Sequence, residues 1–122
     1  MNNLTLMLLG VTAALGLYHV RNYLRATPNP TLRFVHGFLG FAALSALVVL
    51  LRGNPYAPED PHPSHLGSIA AGLLAWSLFS GLIGPMYLEK SRRNREAILV
   101  SHAAAGLAGI AVVLLWISRQ TQ

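Results

Sequence analysis

The sequence predicts an all-α fold, an integral membrane four-helix up-down-up-down bundle. Three observations carry this. Of the 122 residues, 53% are hydrophobic and only 11% charged, whereas a soluble domain carries about 25% charged residues. Apolar runs at residues 4–20, 32–51, 66–88 and 97–118 each approach the ~20 residues that cross a bilayer. The connections between them are short, which makes consecutive helices antiparallel neighbours. The whole chain, 1–122, reads as a single transmembrane domain.

The first run resembles a signal peptide in length. Asn2 and Asn3 are neutral where a basic segment is needed, and Tyr18-His19-Val20 lacks the small residues of a cleavage site. An uncleaved helix is expected. Pro28 and Pro30 break the chain before the second run. The third run follows a proline-rich segment, with Ser64 as the expected helix cap. Gly84-Pro85-Met86 is expected to interrupt its far end. Gly67, Ala70, Ala71, Gly72 and Ala75 in the third run, and Ala103 to Gly106, Ala108, Gly109 and Ala111 in the fourth, are small. In lipid, such residues let helices pack closely.

Charge sets the expected orientation. The first connection carries Arg21, Arg25 and Arg33, and the third carries Lys90, Arg92, Arg93 and Arg95. Only Arg52 is basic beside the second. The positive-inside rule puts loops 20–32 and 89–96 in the cytoplasm and both termini outside. A bacterial inner membrane is the expected location. Arg119 falls outside in this scheme and argues against it. Tyr18, Tyr23 and Tyr87 would mark the inner boundary, and Tyr56 and Trp116 the outer one. The net charge of +5 then reflects topology and lipid headgroups, not nucleic acid. With no cysteine, disulfides and iron–sulfur clusters are excluded.

Two histidines open the same short pattern, His36-x-x-x-Gly40 and His102-x-x-x-Gly106. By chain order both lie near the cytoplasmic ends of parallel helices. Their depths differ by roughly 5 Å at 1.5 Å rise per residue. A neutral imidazole ligates iron, and a glycine one turn deeper leaves room for a flat macrocycle. One haem b with His36 and His102 as axial ligands is the expected cofactor, with Gly40 and Gly106 admitting the ring. The plain alternative is a pair of buried histidines hydrogen-bonded to neighbouring helices. His19 is expected at the same level, as a substitute ligand, a propionate contact or an interfacial residue. Arg33 and the other arginines at that end would meet propionates. On the other side, Glu59-Asp60-Pro61-His62-Pro63-Ser64-His65 groups carboxylates and imidazoles suited to zinc or copper. A solvated capping loop is the simpler reading of that segment. Met86 is a weaker candidate ligand.

No nucleotide loop, zinc-protease motif or nucleophile elbow is present. No acidic residue lies within the four runs, which weighs against a proton-driven transporter. Any chemistry would belong to a cofactor or partner, so no catalytic site of the chain's own is expected.

His36, Gly40, His102 and Gly106, with arginines at the same face, resemble the small four-helix membrane b-type cytochromes of the cytochrome b561 and ferric-reductase-like group. The resemblance implies transmembrane histidines that bind haem and pass electrons. Such proteins commonly carry two histidine pairs, and this chain offers one. It implies an electron-transfer or haem-bearing anchor subunit of a membrane redox complex. Expected partners are the lipid bilayer, other membrane subunits or further copies of the chain, and quinone. The rival reading is a cofactor-free accessory subunit of a respiratory or photosynthetic complex. A pigment-binding subunit and a metal transporter using His62 and His65 rank below it.

Overall fold

The structure is a computed structural model that describes residues 3–52, 61–87 and 91–120. Tyr56, Glu59, Asp60, Glu89 and Lys90 lie outside the described residues, as do the side chains of His62, Ser64, Pro85 and Tyr87. The described chain is helical in four elements: α1 (Asn3–Leu24), α2 (Pro30–Arg52), α3 (Pro61–Tyr87) and α4 (Arg92–Gln120). All four are long and apolar enough to cross a membrane. The 22 residues of α1 rise ~33 Å at 1.5 Å each.

The helices run past the apolar runs, because hydropathy ends before helix-forming residues do. Arginine near a helix C-terminus favours the backbone dipole, and α1 continues through Arg21 to Leu24. Its end is closed by main-chain bonds. Thr27 N–H donates to the Asn22 carbonyl at 3.0 Å and Ala26 N–H to the Tyr23 carbonyl at 3.1 Å. Ala26 takes a φ of 53°, the left-handed closing position that glycine usually fills.

Pro30 does not keep the chain out of helix but starts α2. Asn29 Oδ1 accepts the Leu32 N–H at 3.0 Å, and the Asn29 carbonyl accepts the Arg33 N–H at 3.1 Å. Asn29 is therefore the cap, and a proline just after it loses no bond the helix needed. Ser64 lies inside α3, which begins at Pro61, so it is not the cap expected of it. Nor does Gly84-Pro85-Met86 end α3, which continues to Tyr87. A proline this close to the C-terminus removes only one ladder bond.

Packing joins consecutive helices, most extensively α3 with α4, then α1 with α2 and α2 with α3; α1 and α4 meet least. Glycines mark the close approaches. A Cβ on Gly40 would meet the Thr12 methyl at 3.6 Å and Leu78 Cδ1 at 3.7 Å. Gly67 lies directly against Leu51, and Gly109 against Leu74. Leu9, Ala43, Leu47, Ala70, Val113 and Trp116 form a buried apolar cluster in one half of the bundle. Trp116 is 1% exposed, so it is a core residue and not the boundary anchor its sequence position suggests. Its large ring shares this cluster with the small residues Ala43 and Ala70. Polar side chains collect in the other half.

Candidate functional site

Three imidazoles meet in that polar half. His36 of α2 stands between His19 of α1, with ring centres 6.0 Å apart, and His102 of α4, at 5.9 Å. Both contacts are edge-on, at 80° and 76°. All three rings are half-buried. The two histidines singled out in the sequence are thus brought together, and His19 joins them.

Each of the paired rings is anchored by main chain. His36 Nδ1 lies 3.0 Å from the Thr12 carbonyl oxygen. His102 Nδ1 lies 2.6 Å from the Ser77 carbonyl oxygen. A carbonyl can only accept, so Nδ1 carries the proton in both neutral rings and Nε2 keeps its lone pair. Ser77 adds a second tie, since its hydroxyl donates to the His102 carbonyl at 2.9 Å. Metal-bound histidines show this arrangement, with one ring nitrogen held by a carbonyl and the other free to ligate.

The glycines that seat these rings are Gly16 and Gly81. A Cβ on Gly16 would stand 3.1 Å from His36 Cε1, and one on Gly81 only 2.6 Å from His102 Cε1 and Nδ1. In a helix, the carbonyl of residue i bonds to the N–H of residue i+4. Gly16 follows Thr12 by four and Gly81 follows Ser77 by four. The missing side chain uncovers the carbonyl from the flank, and the imidazole of the next helix reaches it.

Gly40 and Gly106 have a different part. Gly40 faces Thr12 and Leu78, and a Cβ on Gly106 would stand 3.0 Å from Ser77 Oγ. Both serve helix–helix contact, with a neighbouring side chain over each. Arg33 is exposed. Met86 is 77% exposed and His65 is exposed. Among the described residues, no three of His, Cys, Asp and Glu converge to hold a bare metal ion.

A repeat links the two halves of the site. Thr12, Gly16, His36 and Gly40 of the first hairpin recur as Ser77, Gly81, His102 and Gly106 of the second, offset by 65 on the first helix and 66 on the second. The offset also pairs buried positions, Thr5 with Ala70, Ala43 with Gly109 and Leu47 with Val113. Position 19 breaks it, because its counterpart is Gly84. The anchoring residues escape the sequence reading, yet this spacing is the signal that reveals them.

Comparison with protein-family models, with curated proteins and with solved structures gives no match.

Proposed function

We propose that the chain is a small integral-membrane b-type cytochrome, an electron-transfer or haem-bearing subunit of a membrane redox complex. The observation that carries this is the pair of anchored imidazoles, His36 and His102, each with Nδ1 on a main-chain carbonyl, an arrangement that leaves the lone pair on Nε2. Two imidazoles bonded to one metal at about 2 Å each place their ring centres about 6 Å apart. The 5.9 Å separation of the His36 and His102 ring centres is consistent with this spacing. A bare ion needs three or four protein ligands, which the described residues do not bring together. A porphyrin supplies its own equatorial nitrogens, so two histidines suffice.

In this reading a bound haem b supplies one-electron chemistry. The protein's residues do the rest. The Thr12 and Ser77 carbonyls fix the tautomer and aim of the two rings, and Gly16 and Gly81 give them room. Arg33, with the other arginines at that end, meets anionic groups. Quinone or a partner subunit would exchange the electron.

Membrane insertion belongs to the same proposal. Phe34, Phe38, Phe41, Val49 and Leu82 are each at least 60% exposed. In water a surface of this kind would drive association, whereas acyl chains solvate it. An up-down-up-down course is supported by paired contacts that run in opposite senses along neighbouring helices, Leu74 with Gly109 and Gly81 with His102. The arginine distribution favours the connections after α1 and α3 in the cytoplasm of a bacterial inner membrane.

The test is an absorption spectrum of detergent-purified protein from haem-replete cells, oxidised and then dithionite-reduced. A Soret band with a sharp reduced α-band is expected, lost in the His36→Ala/His102→Ala double variant. A second reading, a cofactor-free accessory subunit, is favoured by the side chains that cover Gly40 and Gly106. A flat visible spectrum from the wild type would select it.

A further inference from the structure

We propose that the seam between α1 and α4 holds one anionic phospholipid, with an acyl chain against Ala13 and Gly106 and the phosphate between Arg25 and Arg95; this rests on the membrane reading above and not on haem. The repeat carries α1 onto α3 and α2 onto α4, so the α4–α1 seam is the counterpart of the α2–α3 seam. The two are unequal, since α1 and α4 meet least.

One pair of positions marks the difference. In the α2–α3 seam, a Cβ on Gly40 would meet Leu78 at 3.7 Å. Gly106 matches Gly40 in the repeat, and Ala13 matches Leu78. Among the described residues, only Ser77 comes within 4 Å of a Cβ on Gly106, so nothing from α1 reaches it. The slot left is about one leucine side chain wide. A helix, ~10 Å across, does not enter it, whereas a methylene chain does. Left unfilled, the slot forfeits the dispersion contacts of its lining.

Length and charge fit the same occupant. His19 and His102 both flank His36 and so mark one level on α1 and α4. On the antiparallel course proposed above, Ala13 and Gly106 lie ~9 and ~6 Å to one side of that level, and Arg25 and Arg95 ~9 and ~10 Å to the other, at 1.5 Å per residue. The ~15–20 Å from slot to arginines is one leaflet of a ~30 Å hydrocarbon core and its headgroup edge. Glu96, the one acidic residue at this end among the described residues, is taken by Arg92 at 2.9 Å. Arg25 and Arg95 are exposed and have no ion pair among the described residues. A phosphate between them accepts charge-assisted hydrogen bonds.

The experiment uses full-length protein extracted from washed membranes into detergent. It is read by native mass spectrometry and thermal melting with phosphatidylglycerol, phosphatidylcholine or inorganic phosphate added. Phosphatidylglycerol is expected to give a discrete one-lipid adduct and a higher Tm, with a roughly tenfold preference over phosphatidylcholine; inorganic phosphate gives no shift. Ala13→Leu refills the slot with every arginine in place, and is expected to keep its helix content and lose the adduct. Arg25→Gln/Arg95→Gln, which alters only exposed side chains, is expected to lose the preference between the two lipids. An adduct that survives in folded Ala13→Leu would overturn the proposal, as would an unchanged preference in the arginine variant or stabilisation by inorganic phosphate alone. A chain recovered in the soluble fraction would overturn the membrane reading itself, and this inference with it.

Discussion

At the scale of single residues, the site is built from what is missing. Gly81 leaves the Ser77 carbonyl open to the His102 ring, and an added methyl would stand 2.6 Å from that ring. Gly81→Ala is therefore expected to push the imidazole off its anchor and cost ~1–3 kcal/mol, as overpacking does. Gly40→Ala meets only ordinary contacts at 3.6 and 3.7 Å, and should be neutral or gain up to about 1 kcal/mol from helix propensity. Thermal melting in detergent separates them: Gly81→Ala is expected to lose stability while Gly40→Ala keeps it, and, on the proposed haem reading, haem counted per chain should fall in Gly81→Ala alone. The sequence pattern alone points to Gly40 and Gly106, whereas Gly16 and Gly81 are the glycines that lie against the rings. His36-x-x-x-Gly40 and His102-x-x-x-Gly106 are visible because they sit on one helix. The anchoring carbonyls belong to the neighbouring helix, and main chain has no signature in a list of side chains.

At the scale of the helix, the ends matter most. Ala26 pays for a left-handed backbone at φ 53°, which costs an L-residue roughly 1–2 kcal/mol and glycine far less. Ala26→Gly should stabilise the α1–α2 hairpin by about 1 kcal/mol. Asn29→Ala should cost about 1 kcal/mol, through loss of the cap on Leu32 N–H. Both are read by denaturation in mixed detergent. The four apolar spans were legible because length and hydropathy are properties of each run by itself. Their ends were not, because Arg21, Asn22 and Arg92 to Glu96 are polar yet helical. Pro30 is the clearest instance: the same residue that forbids a helix interior favours its first position.

At the scale of the molecule, two hairpins carry matching halves of one site, and their seams are unequal. The α3–α4 pair packs most closely and the α1–α4 seam least. The weakest seam should open first, since regions with few contacts have the lowest opening free energies. Hydrogen exchange of the detergent-solubilised protein should therefore reach α1 amides before those of α3 and α4. Equal protection across all four helices would contradict this order. If the proposed haem binds between His36 and His102, it should slow exchange in α2 and α4 together.

The two tryptophans give the protein a pair of optical reporters at different levels. Trp116 is sealed in the apolar cluster with its indole N–H unpartnered, an environment that shifts emission to the blue. Trp76 is 54% exposed, and its indole donates to Ser101 at 3.0 Å, one residue from His102. Energy transfer to a coloured centre falls steeply with distance. Loading the imidazole pair with a chromophore should darken Trp76 far more than Trp116, shifting the remaining light towards the blue. The chain can in this way report its own occupancy without any attached dye.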